Sequence, residues 1–169
     1  MTSSSPRRRL VVSNSSPLIH LARIGRPSLL RQLFGEIAIP PAVYREVVVE
    51  GRGRPGSEQV ASASWIKTMS LREQVLKRAL LAFLDEGEAE AIALAVEKNA
   101  DLVLLDEREA RIHAKRLGLK VAGTIGVLLK SKKAGLIESL RDELDKLKET
   151  GFRISPVLEE EILKRAGER

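Results

Sequence analysis

Apolar residues in this chain recur in two rhythms, and their alternation predicts the fold. Short continuous apolar runs at 10–12 and 102–105 read as buried strands, and 36–39, 65–69 and 120–122 as further short ones. Between them, apolar residues return at the three-and-four spacing of helices. One helix starts from Ser16 as N-cap with Pro17 in first helical position and stops at Gly25. Others cover 28–34, the stretch AVYREVVVE after Pro40-Pro41, and 71–84 with Val75, Leu76, Ala79, Leu80 and Phe83 facing inward. From Asp85 the chain reads DEGEAEAIALAVEKNADLVLLDE: a helix with Ala91, Ile92, Ala95 and Val96 on its apolar face, a tight turn at Asn99, and the strand 102–105. Later helices cover 107–117 (stopped by Gly118), the segment capped by Thr124, 137–149 and 156–166. Strands alternating with helices argue for an α/β fold with a parallel central sheet flanked by helices.

Composition narrows the picture without changing it. The 169 residues are 43% hydrophobic, enough for one core, so 10–167 is expected to be a single domain. Residues 1–9, MTSSSPRRR, lack apolar periodicity and read as a disordered basic arm. There is no cysteine, which excludes disulfides and thiolate metal sites. No apolar run is long enough to span a membrane, and the expected setting is the cytoplasm. The formal charge of +6 favours a polyanionic partner, although a basic surface is also simply soluble.

Three carboxylates stand where chemistry could use them. Glu88 tops the apolar stripe of its helix, Asp106 directly follows a strand, and Glu46 lies near the apolar side of a helix. Open parallel sheets bind ligands at the carboxyl ends of their strands. Two carboxylates about 5 Å apart repel by roughly 3 kcal/mol at an effective dielectric of about 20, so such a cluster calls for a cation or a proton. Oxygen ligands without sulfur select Mg²⁺ or Mn²⁺. The plainer reading stands beside this one. Asp85 with Glu88, and Asp106 with Glu109, each match a D-x-x-E capping box, and position alone favours a solvated Glu46. His113 pairs with Glu109 one turn earlier, and Glu90, two residues beyond Glu88, is expected to point away from any site. The loop GRGRPG at 51–56 has the letters of a dinucleotide fingerprint, but it comes after a helix and contains Pro55; it reads as a basic loop or a flexible connector.

The segments VVSNSSPLIHLA, IPPAVYREV, DEGEAEAIALAVEKNADLVLLDE and GLKVAGTIGVLL, in this order over about residues 10–167, resemble the PIN-domain family, in particular a PIN-like group that begins with a strand ending in N-x-S-P-L. The most specific feature is G-E-A-E-A-I-A-L-A with a strand and Asp after it, and 106 minus 88, or 18, between the acidic residues. The resemblance implies Mg²⁺ or Mn²⁺ held by three or four acidic residues, cleavage of RNA, frequent homodimers, and antitoxin partners for toxin members. It places the family's first acidic position on Asn14, a small hydroxyl neighbour on Ser16, and the remaining acidic positions on Glu46, Glu88 and Asp106, with Glu107 adjacent. Asn14 departs from the pattern: an amide oxygen can coordinate a cation but supplies no charge. The expected function is a metal-dependent ribonuclease, possessing Arg52, Arg54, Lys130, Lys132 and Lys133 for phosphate contacts. The alternative is a catalytically impaired PIN-like module that binds nucleic acid or protein.

Overall fold

Five strands form one wholly parallel sheet in the order β3-β2-β1-β4-β5. A computed structural model describes residues 9–168. The basic arm expected at 1–9 lies outside the described residues apart from Arg9. In chain order the elements are β1 (Val11–Ser13), α1 (Ser15–Arg23), α2 (Leu29–Phe34), β2 (Ile37–Ile39) and α3 (Pro41–Tyr44), which runs on as a π-helical turn, Arg45–Glu50. Next come α4 (Ser57–Ser62), β3 (Ile66–Thr68), α5 (Val75–Leu80), α6 (Glu86–Glu97), β4 (Leu102–Leu104), α7 (Arg108–Arg116) and β5 (Val121–Ala122). The helices α8 (Thr124–Lys133), α9 (Leu140–Glu149) and α10 (Pro156–Arg165) complete the fold.

Side chains alternate across a strand, and here both faces are covered, so every residue of β1 and β2 is buried. Val11, Ile37, Ile39 and Leu104 face one core with Leu18, Leu21, Leu128, Leu140 and Leu144 from α1, α8 and α9. Val12, Ala38, Val103 and Leu105 face the other, built from Leu80, Ile92, Leu94, Ala110 and Ala114 of α5, α6 and α7. Registers Val12↔Ala38 and Val12↔Val103 put β1 at the centre. The chain winds outward from β1 in one direction through β2 and β3, and in the other through β4 and β5. The reversal therefore lies between β1 and β4, whose carboxyl ends share a rim.

Most predicted elements are present, and the departures have local causes. The helix expected over 71–84 is only the six residues of α5, and Val75 and Phe83, expected inside, are 64% and 65% exposed; Ala79 is exposed as well. Phe83 instead stacks on His113 with ring centroids 4.9 Å apart. In α6 the burial runs nearly all round, from Gly87 to Ala95, while Val96 is partly exposed near the helix end. Asn99 closes that helix with φ 53°, the left-handed conformation a tight turn into β4 requires. Among the described residues, no helix is long and apolar enough to cross a membrane.

Candidate metal centre

At the rim between β1 and β4, Asn14 directly follows β1 and Asp106 lies two residues beyond β4, while Glu46 and Glu88 come from the π-helical turn and the first turn of α6. The N–H of Asn14 donates to the Leu104 carbonyl at 3.0 Å, extending the β1–β4 pairing one step beyond β1. α1 then starts at Ser15, so Asn14 holds the N-cap position that was expected at Ser16, and Pro17 is third in the helix. Proline is tolerated there because first-turn N–H groups have no intrahelical acceptor. Asn14 makes no cap hydrogen bond. The residue is only 5% exposed, and among the described residues its Oδ1 has no hydrogen-bond partner, as is also true of Ser15 Oγ.

Glu46 arrives from the π-helical turn after α3. Such turns are rare and recur at functional sites. Gly51 ends it, and a Cβ there would stand 2.5 Å from the Val47 carbonyl oxygen, so only glycine fits. The Glu46 and Asn14 side chains converge beside Gly87 in the first turn of α6: the point a Cβ on Gly87 would occupy lies 3.0 Å from Glu46 Oε2, 3.2 Å from Asn14 Oδ1 and 3.7 Å from Asp85 Oδ1. Glu46 is exposed as a residue, yet partial burial of its carboxyl raises it above its usual range, with the charges of Asp85 and Glu50 adding to it. The Ser15 hydroxyl, near enough to favour the ionised form without completing a hydrogen bond, opposes that rise.

The predicted capping box at Asp85 and Glu88 is present. Asp85 Oδ1 accepts from the Glu88 N–H at 2.8 Å, and Glu88 Oε1 accepts from the Asp85 N–H at 3.2 Å. Glu88 is buried, and that burial, then the charge of Asp85, pushes its carboxyl up to about 7. Glu90 does point elsewhere, as a structural tie: it accepts from Lys77 Nζ at 2.6 Å and from the Ala42 N–H at 3.1 Å, joining α6 to α5 and to the start of α3.

The second predicted capping box does not form. Glu107 holds the N-cap position of α7, and Asp106 turns towards α8. Its Oδ1 accepts from the Thr124 N–H at 2.7 Å and its Oδ2 from Thr124 Oγ1 at 2.8 Å. Thr124 is thus the first residue of α8 rather than its cap, and the capping acceptor comes from the end of β4. A carboxylate at a helix N-terminus is favoured by the helix dipole. Gly123 makes room, since a Cβ there would stand 2.8 Å from Asp106 Oδ1.

His20 was not singled out by its sequence context. Its ring packs edge-on against Phe152 with centroids 4.9 Å apart, and its Nδ1 is buried without a partner. Burial lowers its pKa, while the charge of Asp106 pulls the other way. Its spacing was a usable signal, because His20 lies one helical turn after Ser16. Asp85 and Ser15 also join the rim: from sequence the first reads only as a cap, and the second carries no signal.

The basic candidates are placed differently. Arg52 and Arg54 are exposed on the loop after the π-helical turn. Lys130, Lys132 and Lys133 lie in the last turn of α8, about 9 to 14 Å along the helix from Thr124. Lys130 stands over the Phe34 ring at 5.1 Å, and Lys132 pairs with Glu168 at 3.4 Å and donates to the Glu138 carbonyl, while Lys133 is exposed. His113 lies 4.0 Å from Glu109, the expected pairing.

The three atoms nearest the point a Cβ on Gly87 would occupy are all oxygens, a set that suits a hard divalent cation. Of the two oxygens nearest that point, Asn14 Oδ1 is buried and, among the described residues, unpartnered. Among the described residues, no three His, Cys, Asp or Glu side chains are grouped to hold an ion.

A family model described as a PIN domain, DUF3368, matches residues 10–168. No curated protein sequence matches the chain. Among solved structures it is similar to a PilT N-terminus domain protein, SSO1118, from the hyperthermophilic archaeon Sulfolobus solfataricus P2. The TM-score is 0.54 at 18% identity, covering 77% of this chain and 95% of that one, a likeness of fold. With its central parallel sheet flanked by helices and a match along nearly its whole length, the chain belongs to the PIN-domain family, a family of nucleases.

Proposed function

We propose that this protein is a Mg²⁺- or Mn²⁺-dependent ribonuclease, acting in the cytoplasm as, or like, the toxin of a toxin–antitoxin pair and working as a homodimer. The observation that carries the reading is the convergence of Glu46 Oε2 and the unpartnered, buried Asn14 Oδ1 on the space beside Gly87. An unopposed acceptor oxygen such as Asn14 Oδ1 is costly to bury, and a cation relieves the cost. When bound there, the ion would orient a water and stabilise charge on the phosphate under attack.

The chain's own residues then divide the work. Glu46 and Asn14 hold the cation, and Glu88, half-protonated near neutral pH, adds charge at the same helix start. Asp106, held at both oxygens by Thr124, faces the rim from β4 in a fixed orientation. Ser16, half-buried in the first turn of α1, positions water or phosphate. Arg52, Arg54 and Lys133, all exposed, take the RNA backbone, whereas Lys130 and Lys132 already engage Phe34, Glu138 and Glu168.

Asn14 supports a second reading, in which the fold binds nucleic acid or protein and hydrolysis has been lost. Calorimetric titration of Mn²⁺ into the wild type and Asp106→Asn, with RNA cleavage measured on the same samples, separates the two. Cleavage that needs the metal and fails in the variant supports the nuclease; no binding at millimolar metal would sink it.

A further inference from the structure

Asn14 brings an oxygen but no charge to the cradle, and a carboxylate stands nearby. Asp85 precedes α6 and caps it, and its Oδ1 lies 3.7 Å from the same point that Glu46 Oε2 and Asn14 Oδ1 approach to 3.0 and 3.2 Å. Asn14, nine-tenths buried with its Oδ1 unpartnered, is aimed into this space, which marks it as a ligand site rather than a chance gathering of acids. The space exists because residue 87 is glycine.

We infer that Asp85 is a further member of the cation-binding set, supplying the charge that Asn14 lacks, and that Gly87 keeps the cradle open. The inference rests on the metal-dependent reading above. A carboxylate offers about four lone-pair positions, and the cap bond to the Glu88 N–H takes up one, so capping and coordination are compatible. The charge that Asn14 does not bring at the end of β1 is supplied at the start of α6.

Asparagine caps a helix about as well as aspartate, so Asp85→Asn removes the charge and keeps the cap. Asp85→Ser does the same with a different side chain, in case the first variant folds poorly. Mn²⁺ affinity of the full chain, measured by calorimetry and by the electron paramagnetic resonance of free Mn²⁺, should fall about tenfold or more in both variants while thermal unfolding stays close to wild type. The double variant Asn14→Asp with Asp85→Asn, which moves the charge to the β1 position, should recover most of that affinity. Gly87→Ala should abolish binding, since its Cβ occupies the cradle, without the stability loss of a damaged helix. Wild-type affinity in Asp85→Asn and Asp85→Ser would overturn the inference while leaving the nuclease reading intact. A wild type that binds no Mn²⁺ would overturn both.

Discussion

Thr124 donates twice to Asp106, through its backbone N–H at 2.7 Å and its hydroxyl at 2.8 Å. This pair fixes a carboxylate at the end of β4 against the first turn of α8, so one contact both caps a helix and aims an acidic group at the rim. Thr124→Val keeps the shape and the N–H but removes the hydroxyl donor from one oxygen. It should cost about 1 to 3 kcal/mol in denaturant unfolding and lower RNA cleavage, whereas Thr124→Ser should restore most of both. Wild-type stability and cleavage in the valine variant would show that the hydroxyl contributes nothing.

Glu88 should give stability a distinctive pH dependence. Its carboxyl is raised from 4.5 to about 7, so between those values the folded chain retains a proton that the unfolded chain has released. Stability therefore falls as pH rises through that window, and below it both states are protonated and the contribution vanishes. Urea titrations should show a shallower decline in Glu88→Gln than in the wild type. Saturating Mn²⁺, which favours the ionised carboxylate, should also flatten the wild-type curve. Parallel curves for wild type and variant would mean that Glu88 titrates normally.

Glu46 and Glu90 should behave in opposite ways. Glu46 carries a carboxyl disfavoured by burial, so Glu46→Gln should lose Mn²⁺ binding with stability unchanged or slightly raised, the trade usual at functional sites. Retained Mn²⁺ affinity in this variant would remove Glu46 from the ligand set.

Glu90 is bound to Lys77 and the Ala42 N–H within the fold. Glu90→Ala leaves both donors unanswered and should cost about 1 to 3 kcal/mol in unfolding while leaving Mn²⁺ affinity near wild type. Calorimetry and denaturation on one preparation check this pair of outcomes. A stable variant that had lost the metal would reverse the assignment.

The legibility of the fold and of the site had different physical sources. Element order came from periodicity, which is local, and the stripe through Ala91, Ile92 and Ala95 was visible because α6 is buried. Phe83 escapes the pattern because apolar spacing says nothing about where a short helix stops: α5 ends at Leu80, and Phe83 finds its partner in His113, while Val75 opens α5 and is exposed there. The spacing of Asp106 and Glu109 imitates a capping box, yet Asp106 bonds to Thr124, 18 residues on and reachable only once β4 and β5 pair. Asp85 is legible as a cap, but its proximity to Asn14 and Glu46 depends on three elements meeting, which no local pattern records.

The π-helical turn at Arg45–Glu50 also limits how the chain can change in length. Such a turn accommodates one residue more than an α-helical turn, so the segment behaves as a helix with an insertion. Shortening it by one residue would let the segment relax into regular α-helix with its two ends in register, so that the residues within the turn change direction. Val47, now buried against the core, and Glu46, now facing the rim, could not both keep their places. Under the proposed reading, a single-codon deletion here would take Glu46 out of the cation site and leave a more regular helix. The length of this segment, as much as the identity of Glu46, is where selection on the site should be felt.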